Sequence, residues 1–176
     1  MTMRNMVTVV DDFYRNPVEV INQARQEHDW LSEGTSRLLH ETRRTTKGYF
    51  DDKHRKLIEL TGESHCIKAV DDCGYFAVSS PGVERSNEPE VSSSTWTGIL
   101  CLSLEKPVSA RMSFYGQTQG IDHPIETLRV PMHFNRLVIF RSDEVPFNLF
   151  VEDVSSSKSE LYIQVFKFNR LQEAGE

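Results

Sequence analysis

Short β-type runs divided by turn residues fill the chain from Cys66 onward, and this rhythm constrains the fold more than any other feature of the sequence. Six runs rich in β-branched and aromatic residues cover 74–78, 96–104, 111–115, 128–130, 136–140 and 161–168. Pro-Gly, Lys-Pro, Gly-rich and Ser-rich breaks separate them. Because no helical pattern stands between the runs, they predict a sandwich or barrel rather than a parallel α/β sheet.

A first helix is predicted ahead of this β region, over residues 17–28. Pro17 suits the first helical position, and Asn16 before it is a good N-cap. Glu19 stands three residues after the cap, as in a capping box. The apolar residues that follow recur at helical spacing, so one face of the helix is expected to pack inward.

A second helix is predicted over 51–60, since acidic residues open it and Gly62 follows its end. A short β-branched strand is expected at 6–10, whereas the polar stretch 32–48 predicts irregular structure or weak strands. The sequence therefore predicts an α+β fold that is mainly β, with two N-terminal helices packed outside the strands.

The composition fits one domain, residues 1–176, since 38% of the residues are hydrophobic and 26% are charged. No apolar run approaches the roughly 20 residues that cross a bilayer, and no signal peptide is recognisable, so we expect a cytoplasmic protein without a membrane partner. The net charge of -6 disfavours nucleic-acid binding. Three cysteines without a Cys-x-x-Cys pair indicate reduced thiols.

Three segments carry a resemblance to a known family. They are the Asp-Asp-Phe-Tyr opening at 11–14 before a Pro-capped helix, the run at 96–102, and the Asn-Arg pair with its apolar run at 135–140. Together they resemble the 2-oxoglutarate/iron(II) oxygenases, over most of the chain. The resemblance implies a double-stranded β-helix, which is a jelly roll related to the cupins.

The residues that hold iron and 2-oxoglutarate in such enzymes do not stand at the matching positions. The resemblance places a His-x-Asp/Glu pair just before the run at 96–104, where this chain has Glu88 and Glu90. A second His is expected soon after the run at 136–140, but 144–148 contains none. Where the family has an anchoring Arg, this chain has Ser159 or Glu160. We therefore predict no metal ligands, no cofactor and no ordinary oxygenase reaction.

Two histidines, His123 and His133, are the remaining candidate metal ligands. His123, Glu126 and His133 could be combined into a set, but Pro124 places the first two in a loop. A surface or packing role is the favoured interpretation. Iron(II) and 2-oxoglutarate would be cofactors only if His123 or His133 supplied an unrecognised ligand.

A ligand pocket is predicted at the mouth of the barrel. Strand alternation puts Arg111 and Tyr115 on one face, and the resemblance implies that Cys101 looks into the barrel. We predict that Arg111, Tyr115 and Cys101 act on a small molecule. The candidate substrate-binding residues are Trp96, Arg141, Glu88 and Glu90. The alternative interpretation has Arg111 and Arg141 pointing outward, with Tyr115 in the core.

Three functions remain open at this point. The first is a divergent small-molecule enzyme without the usual iron chemistry, of the isomerase, cyclase or lyase type. The second is a noncatalytic binding or accessory protein on the same fold, and the third is an oxygenase with unrecognised ligands. The missing ligands favour the first two. The expected partner is a small molecule, and self-association into a homodimer is left open.

Overall fold

A computed structural model describes most of the chain. The described residues are 6–27, 29–32, 41–51, 54–63, 67–79, 89, 91–104, 108–116, 123–153 and 160–171. The strands within them are β1 (Val7–Val10), β2 (Trp30–Ser32), β3 (Glu41–Gly48), β4 (Ile67–Ala69), β5 (Tyr75–Ser79), β6 (Trp96–Cys101), β7 (Val108–Gly116), β8 (Ile125–Pro131), β9 (Leu137–Arg141), β10 (Phe147–Asp153) and β11 (Leu161–Arg170). The helices are α1 (Pro17–Gln26) and α2 (Arg55–Leu60).

The strands form two antiparallel sheets. The larger sheet has the order β1-β9-β6-β11-β5-β3-β2, with β4 also paired to β11, and the smaller sheet has the order β10-β7-β8. The prediction of a mainly β protein with two helices is confirmed. Neither helix is long and apolar enough to cross a membrane, as judged on the described residues.

The larger sheet is covered on both faces. One face packs on the smaller sheet, through a core that includes Ile99, Cys101, Val138, Ile163, Met112, Phe114 and Leu149. The opposite face packs on the helices, through a core that includes Val20, Ile21, Leu57, Leu100, Ile139 and Phe166. We call these the inter-sheet core and the helix-side core.

This double coverage explains why the run in β9 is apolar throughout instead of alternating. Val138 and Phe140 belong to the inter-sheet core, whereas Leu137 and Ile139 belong to the helix-side core. A strand that is buried on both faces needs apolar side chains at successive positions. The central strand β11 divides in the same way, with Val165 on one side and Phe166 on the other.

The two helices differ from their predictions at the ends. The helix α1 starts at Pro17, but Asn16 makes no side-chain capping bond, so the predicted capping box is wrong. It ends at Gln26, and residue 28 lies outside the described part of the chain. The helix α2 starts at Arg55, after a turn in which the His54 N–H donates to the Asp51 carbonyl.

Three strands, β2, β4 and β10, were not predicted from the sequence. The polar stretch, for which irregular structure or weak strands were predicted, contains β3, where Arg44 lies over the ring of Tyr75 and pairs with Asp72. In β10, the inward residues Phe147 and Leu149 belong to the inter-sheet core. The missed strand β10 completes the sheet that closes the inter-sheet core.

Gly74 should be the least replaceable described glycine with positive φ. Its φ is +85°, and an added Cβ would lie 2.3 Å from the Tyr49 carbonyl oxygen. We expect Gly74→Ala to lower the free energy of unfolding by at least about 2 kcal/mol. Gly62→Ala is the control, because φ there is +73° with nothing within 4 Å, and it should cost about 1 kcal/mol. Urea unfolding measures both, and equal losses would contradict the close approach.

Candidate functional site

The inter-sheet core, as far as its residues are described, holds no set of side chains suited to iron. In the window 144–148, Val145 and Phe147 are buried in this core, whereas Glu144 bonds to Arg141 outside it. Among the described residues, no His, Asp or Glu is buried there, and no three His, Cys, Asp or Glu side chains are grouped as a metal site. Glu88 and Glu90 lie outside the described residues.

On the last strand, Leu161, Ile163 and Val165 point into the inter-sheet core and are buried. Lys167 follows on the same face, and its Nζ lies 5.2 Å from the ring centroid of Tyr75. Glu160 precedes the strand at the surface, where its carboxylate pairs with Arg43 at 3.0 Å. A facial iron centre needs imidazole and carboxylate ligands, and the described side chains here do not fit one.

Arg111 and Tyr115 lie on the outer face of the smaller sheet. Alternation along β7 turns Met112 and Phe114 into the inter-sheet core and the other two outward. The Arg111 guanidinium lies 4.6 Å from the ring centroid of Phe150 and also pairs with Glu152. Burial raises the pKa of Tyr115, and the nearby Glu126 raises it further.

The predicted barrel-mouth pocket is therefore wrong in its geometry, because Arg111 and Tyr115 do not face Cys101. Cys101 does look between the sheets, as expected, but apolar side chains surround it there. Burial raises the pKa of its thiol to about 11, so the thiol stays protonated near neutral pH. A role in function for these three residues stays a prediction.

Trp96 and Arg141 are brought together, but away from Cys101. Trp96 belongs to the helix-side core, and the guanidinium carbon of Arg141 lies 5.6 Å from the centroid of its ring. Arg141 is buried and bonds to Glu63, Asp143 and Glu144. With three carboxylates around it, this cation stabilises the end of the sheet and is not free for a substrate.

His123 and His133 are both exposed. Glu126, the third member of that candidate set, pairs with Arg129 at 2.7 Å. The surface interpretation of these residues agrees with their positions.

A cavity of about 510 Å³ lies on the other side of the larger sheet, beside α1. The segment 13–20 supplies most of its lining, and Tyr49, His54 and Lys56 complete it. None of the residues proposed from the sequence as site residues lines this cavity.

Two of the segments that carry the resemblance to the oxygenases, 11–14 and 135–140, hold one wall of the cavity in place. The Asn135 side chain accepts from the Tyr14 N–H at 2.9 Å and donates to the Tyr14 carbonyl at 2.8 Å. Next to it, Arg136 bonds to Asp11 and lowers the pKa of that carboxyl group. The Asn-Arg pair thus holds the Asp-Asp-Phe-Tyr opening, which is how Tyr14 comes to face the cavity.

Gln164 sets the direction of the hydrogen bonds at the base of the cavity. It is fully buried, and its Nε2 donates to the carbonyls of Gly74 at 3.0 Å and Tyr49 at 3.2 Å. Its Oε1 must therefore accept, and the Tyr14 hydroxyl donates to it at 2.7 Å. Burial strongly raises the pKa of Tyr14, so its phenol remains neutral. The Tyr14 oxygen then accepts from His54 Nε2–H at 2.8 Å.

The second ring nitrogen of His54 faces Asp51. Nδ1 lies 3.1 Å from the Asp51 backbone nitrogen and 3.0 Å from its Oδ1. Since the bond to Tyr14 requires a proton on Nε2, Nδ1 is the ring nitrogen that accepts the Asp51 N–H. The ring is 2% exposed and packs against Phe50 and Phe166, with centroid distances of 5.4 and 5.7 Å.

This geometry commits both functional groups at the base to protein partners. The Tyr14 hydroxyl donates its only proton to Gln164, and each ring nitrogen of His54 already has a hydrogen-bond partner. The charged side chains of the lining, Arg15, Glu19 and Lys56, are instead exposed at the rim. The site can therefore bind a molecule more readily than it can exchange protons with one.

The sequence patterns above do not predict this site, although the chain contains one signal of it. Gln164 interrupts an otherwise apolar run in a strand that is buried on both faces. A buried polar residue is the informative exception in such a run, since it needs partners inside the protein. Which partners those are could not be read from the sequence, because Tyr14 and His54 are 150 and 110 positions away.

Comparisons with known proteins identify no family. No family model and no curated protein matches the chain. The crystal structure of IDO from Bacillus thuringiensis is similar at a TM-score of 0.39 and 11% identity, over 69% of this chain and 60% of that one. The X-ray structure of E. coli ycfD is similar at a TM-score of 0.44 and 10% identity, over 92% of this chain and 49% of that one. The chain thus spans less than two thirds of either protein, and these values assign neither a family nor an activity.

Removing the Tyr14 hydroxyl should destabilise the protein. Tyr14→Phe leaves a buried acceptor on Gln164 and a buried donor on His54 without partners, so we expect a loss of about 1 to 3 kcal/mol. Tyr49→Phe is the matched control, because among the described residues its hydroxyl makes a single long bond, 3.4 Å to Asp51. Denaturant unfolding of both variants measures the difference. Equal stability of Tyr14→Phe and the wild type would contradict the network.

Proposed function

We propose that the chain is a small-molecule-binding protein on a double-stranded β-helix, whose ligand occupies the cavity beside α1. One observation carries the proposal, which is the cavity of about 510 Å³ on the helix side of the larger sheet, lined by aromatic and charged side chains. The buried residues described in the inter-sheet core are instead apolar. We take residues 1–176 as one domain for this role.

The strand pairings support the double-stranded β-helix. The pairs β5–β11, β6–β9 and β7–β8 are nested in the sequence, as in one long two-stranded ribbon. The first two pairs lie in the larger sheet and the third in the smaller sheet, where β10 also pairs with β7. A ribbon that winds between two facing sheets in this way is the path of a jelly roll.

The packing of the inter-sheet core argues against ordinary oxygenase chemistry. In the enzymes that the sequence resembles, a ligand follows the penultimate core strand and a cation lies on the last one. Here the inward positions of β10 carry Phe147 and Leu149 in place of a metal ligand, and those of β11 carry Ile163, Val165 and then Lys167, whose ammonium lies over the ring of Tyr75. The resemblance to the oxygenases therefore supports the proposed scaffold and not the oxygenase reaction.

Binding is favoured over catalysis because the groups at the base of the cavity are already engaged. A general acid or base must reach the proton of its substrate, and Tyr14 and His54 are hydrogen-bonded inside the protein. A metal-independent isomerase, cyclase or lyase is the second candidate. The Asp51–His54–Tyr14 chain of hydrogen bonds favours it, provided that Tyr14 exchanges Gln164 for a substrate.

The protein should not bind 2-oxoglutarate in an iron-dependent way. We expect anaerobic calorimetry to show no micromolar 2-oxoglutarate binding when iron(II) is added, because no group of three possible metal ligands is found among the described residues. The same titration without metal is the control. Micromolar binding that requires iron(II) would contradict this part of the proposal.

Filling the cavity should abolish binding. Asn16 lines it and makes no capping bond, so Asn16→Trp can block the cavity at little cost to α1. Asn22→Trp, at an exposed α1 position outside the lining, is the matched control. In ligand-observed NMR with a fragment library, binding fragments should be lost in Asn16→Trp and retained in Asn22→Trp. Fragments that still bind Asn16→Trp as they bind the wild type would place the ligand elsewhere.

A further inference from the structure

We infer that the cavity takes an organic anion with a flat apolar body, bound with the body inward and the charged group at the rim. This inference rests on the proposed function and adds the chemical class and the orientation of the ligand. Three properties of the lining carry it, namely the engaged polar groups at the base, the aromatic walls and the charges of the rim.

The base cannot receive the charged end of a ligand. The Tyr14 proton is held by Gln164, and His54 uses Nε2 for Tyr14 and Nδ1 for Asp51. An anion placed here would have to break one of these bonds or remain buried without a donor, and both are costly. An apolar end of the ligand breaks no hydrogen bond and needs no donor, so this end lies at the base of the cavity.

Aromatic rings shape the walls. Phe13 and Tyr14 pack edge to face with ring centroids 4.9 Å apart, and Tyr49 packs edge to face on His54 at 5.4 Å. All four residues line the cavity. Ring faces and edges offer a flat apolar molecule the offset and edge-on contacts that aromatic groups prefer.

The charges of the rim favour an anion. The lining contains two exposed cations, Arg15 and Lys56, and one exposed acid, Glu19. None of the three forms an ion pair within the described part of the chain. Seven other arginines do pair with carboxylates, namely Arg43, Arg44, Arg111, Arg129, Arg136, Arg141 and Arg170. An Arg with a free guanidinium beside a cavity can hold a carboxylate or phosphate through two hydrogen bonds.

Calorimetry with phenylacetate as the probe tests this inference on the full chain. Phenethylamine has the same ring with the opposite charge, and acetate has the charge without the ring. We expect phenylacetate to bind at least tenfold more tightly than either, and its binding to weaken as salt is raised. Asn16→Trp should abolish the binding of phenylacetate, whereas Asn22→Trp should not.

Substitutions of the cations and of the acid at the rim should change the Kd of phenylacetate in opposite directions. Arg15→Met and Lys56→Met should each raise the Kd of phenylacetate by roughly two- to fivefold, as exposed charge pairs do. Glu19→Gln should lower it, because it removes the repelling acid. Arg25→Met is the control, since Arg25 is an exposed α1 residue that does not line the cavity.

The outcomes separate the inference from the proposed function. If phenethylamine binds more tightly than phenylacetate and Asn16→Trp abolishes it, the anionic class is overturned while the cavity remains the binding site. A Kd of phenylacetate that is unchanged in the Arg15→Met, Lys56→Met double variant overturns the role of the rim. If the binding of no probe or fragment is lost in Asn16→Trp, the proposed function itself fails.

Discussion

The helix side of the protein depends on the hydrogen bonds of one buried side-chain amide, that of Gln164. It sits in the middle of β11, where every neighbouring position in the strand is apolar or faces a core, and it must find its hydrogen bonds inside the protein. Its two donors bind the carbonyls of Tyr49 and Gly74, which join the end of β3 to the start of β5. Its acceptor takes the Tyr14 hydroxyl and thereby fixes His54 ahead of α2. One side chain thus connects the sheet to both helical segments.

The free space for a ligand follows from how the larger sheet is covered. The smaller sheet covers one face with large apolar side chains such as Met112, Phe114 and Phe147. Two short helices cover the other face only in part, and the cavity opens beside the first turn of α1. On the proposed jelly-roll scaffold, the proposed binding site lies on the face of the larger sheet opposite to the inter-sheet core.

Ion pairing with carboxylates distinguishes the cations that stabilise the fold from those that are available to a ligand. Arg141 is buried among Glu63, Asp143 and Glu144, and removing one partner of such a cluster would leave a charge without compensation. Arg136 holds Asp11 and so positions the segment that leads to Tyr14. Arg15 and Lys56, the cations at the rim of the cavity, form no ion pair with any residue that the structure describes. An arginine in a strand pattern is thus ambiguous until its carboxylate partner is known.

The sequence by itself determined the strands with strong patterns, the two helices, and the residues that share a face of each strand. It placed Cys101 and Ile99 together, and it set Arg111 and Tyr115 on the face opposite Met112, because side chains alternate with a period of two. It could not decide which of the two faces is covered, and so Arg111 and Tyr115 were assigned to the wrong side. Only the tertiary structure brought Tyr14, His54 and Gln164 to one point, since hydrogen bonds between residues more than 100 positions apart leave no local pattern in the chain.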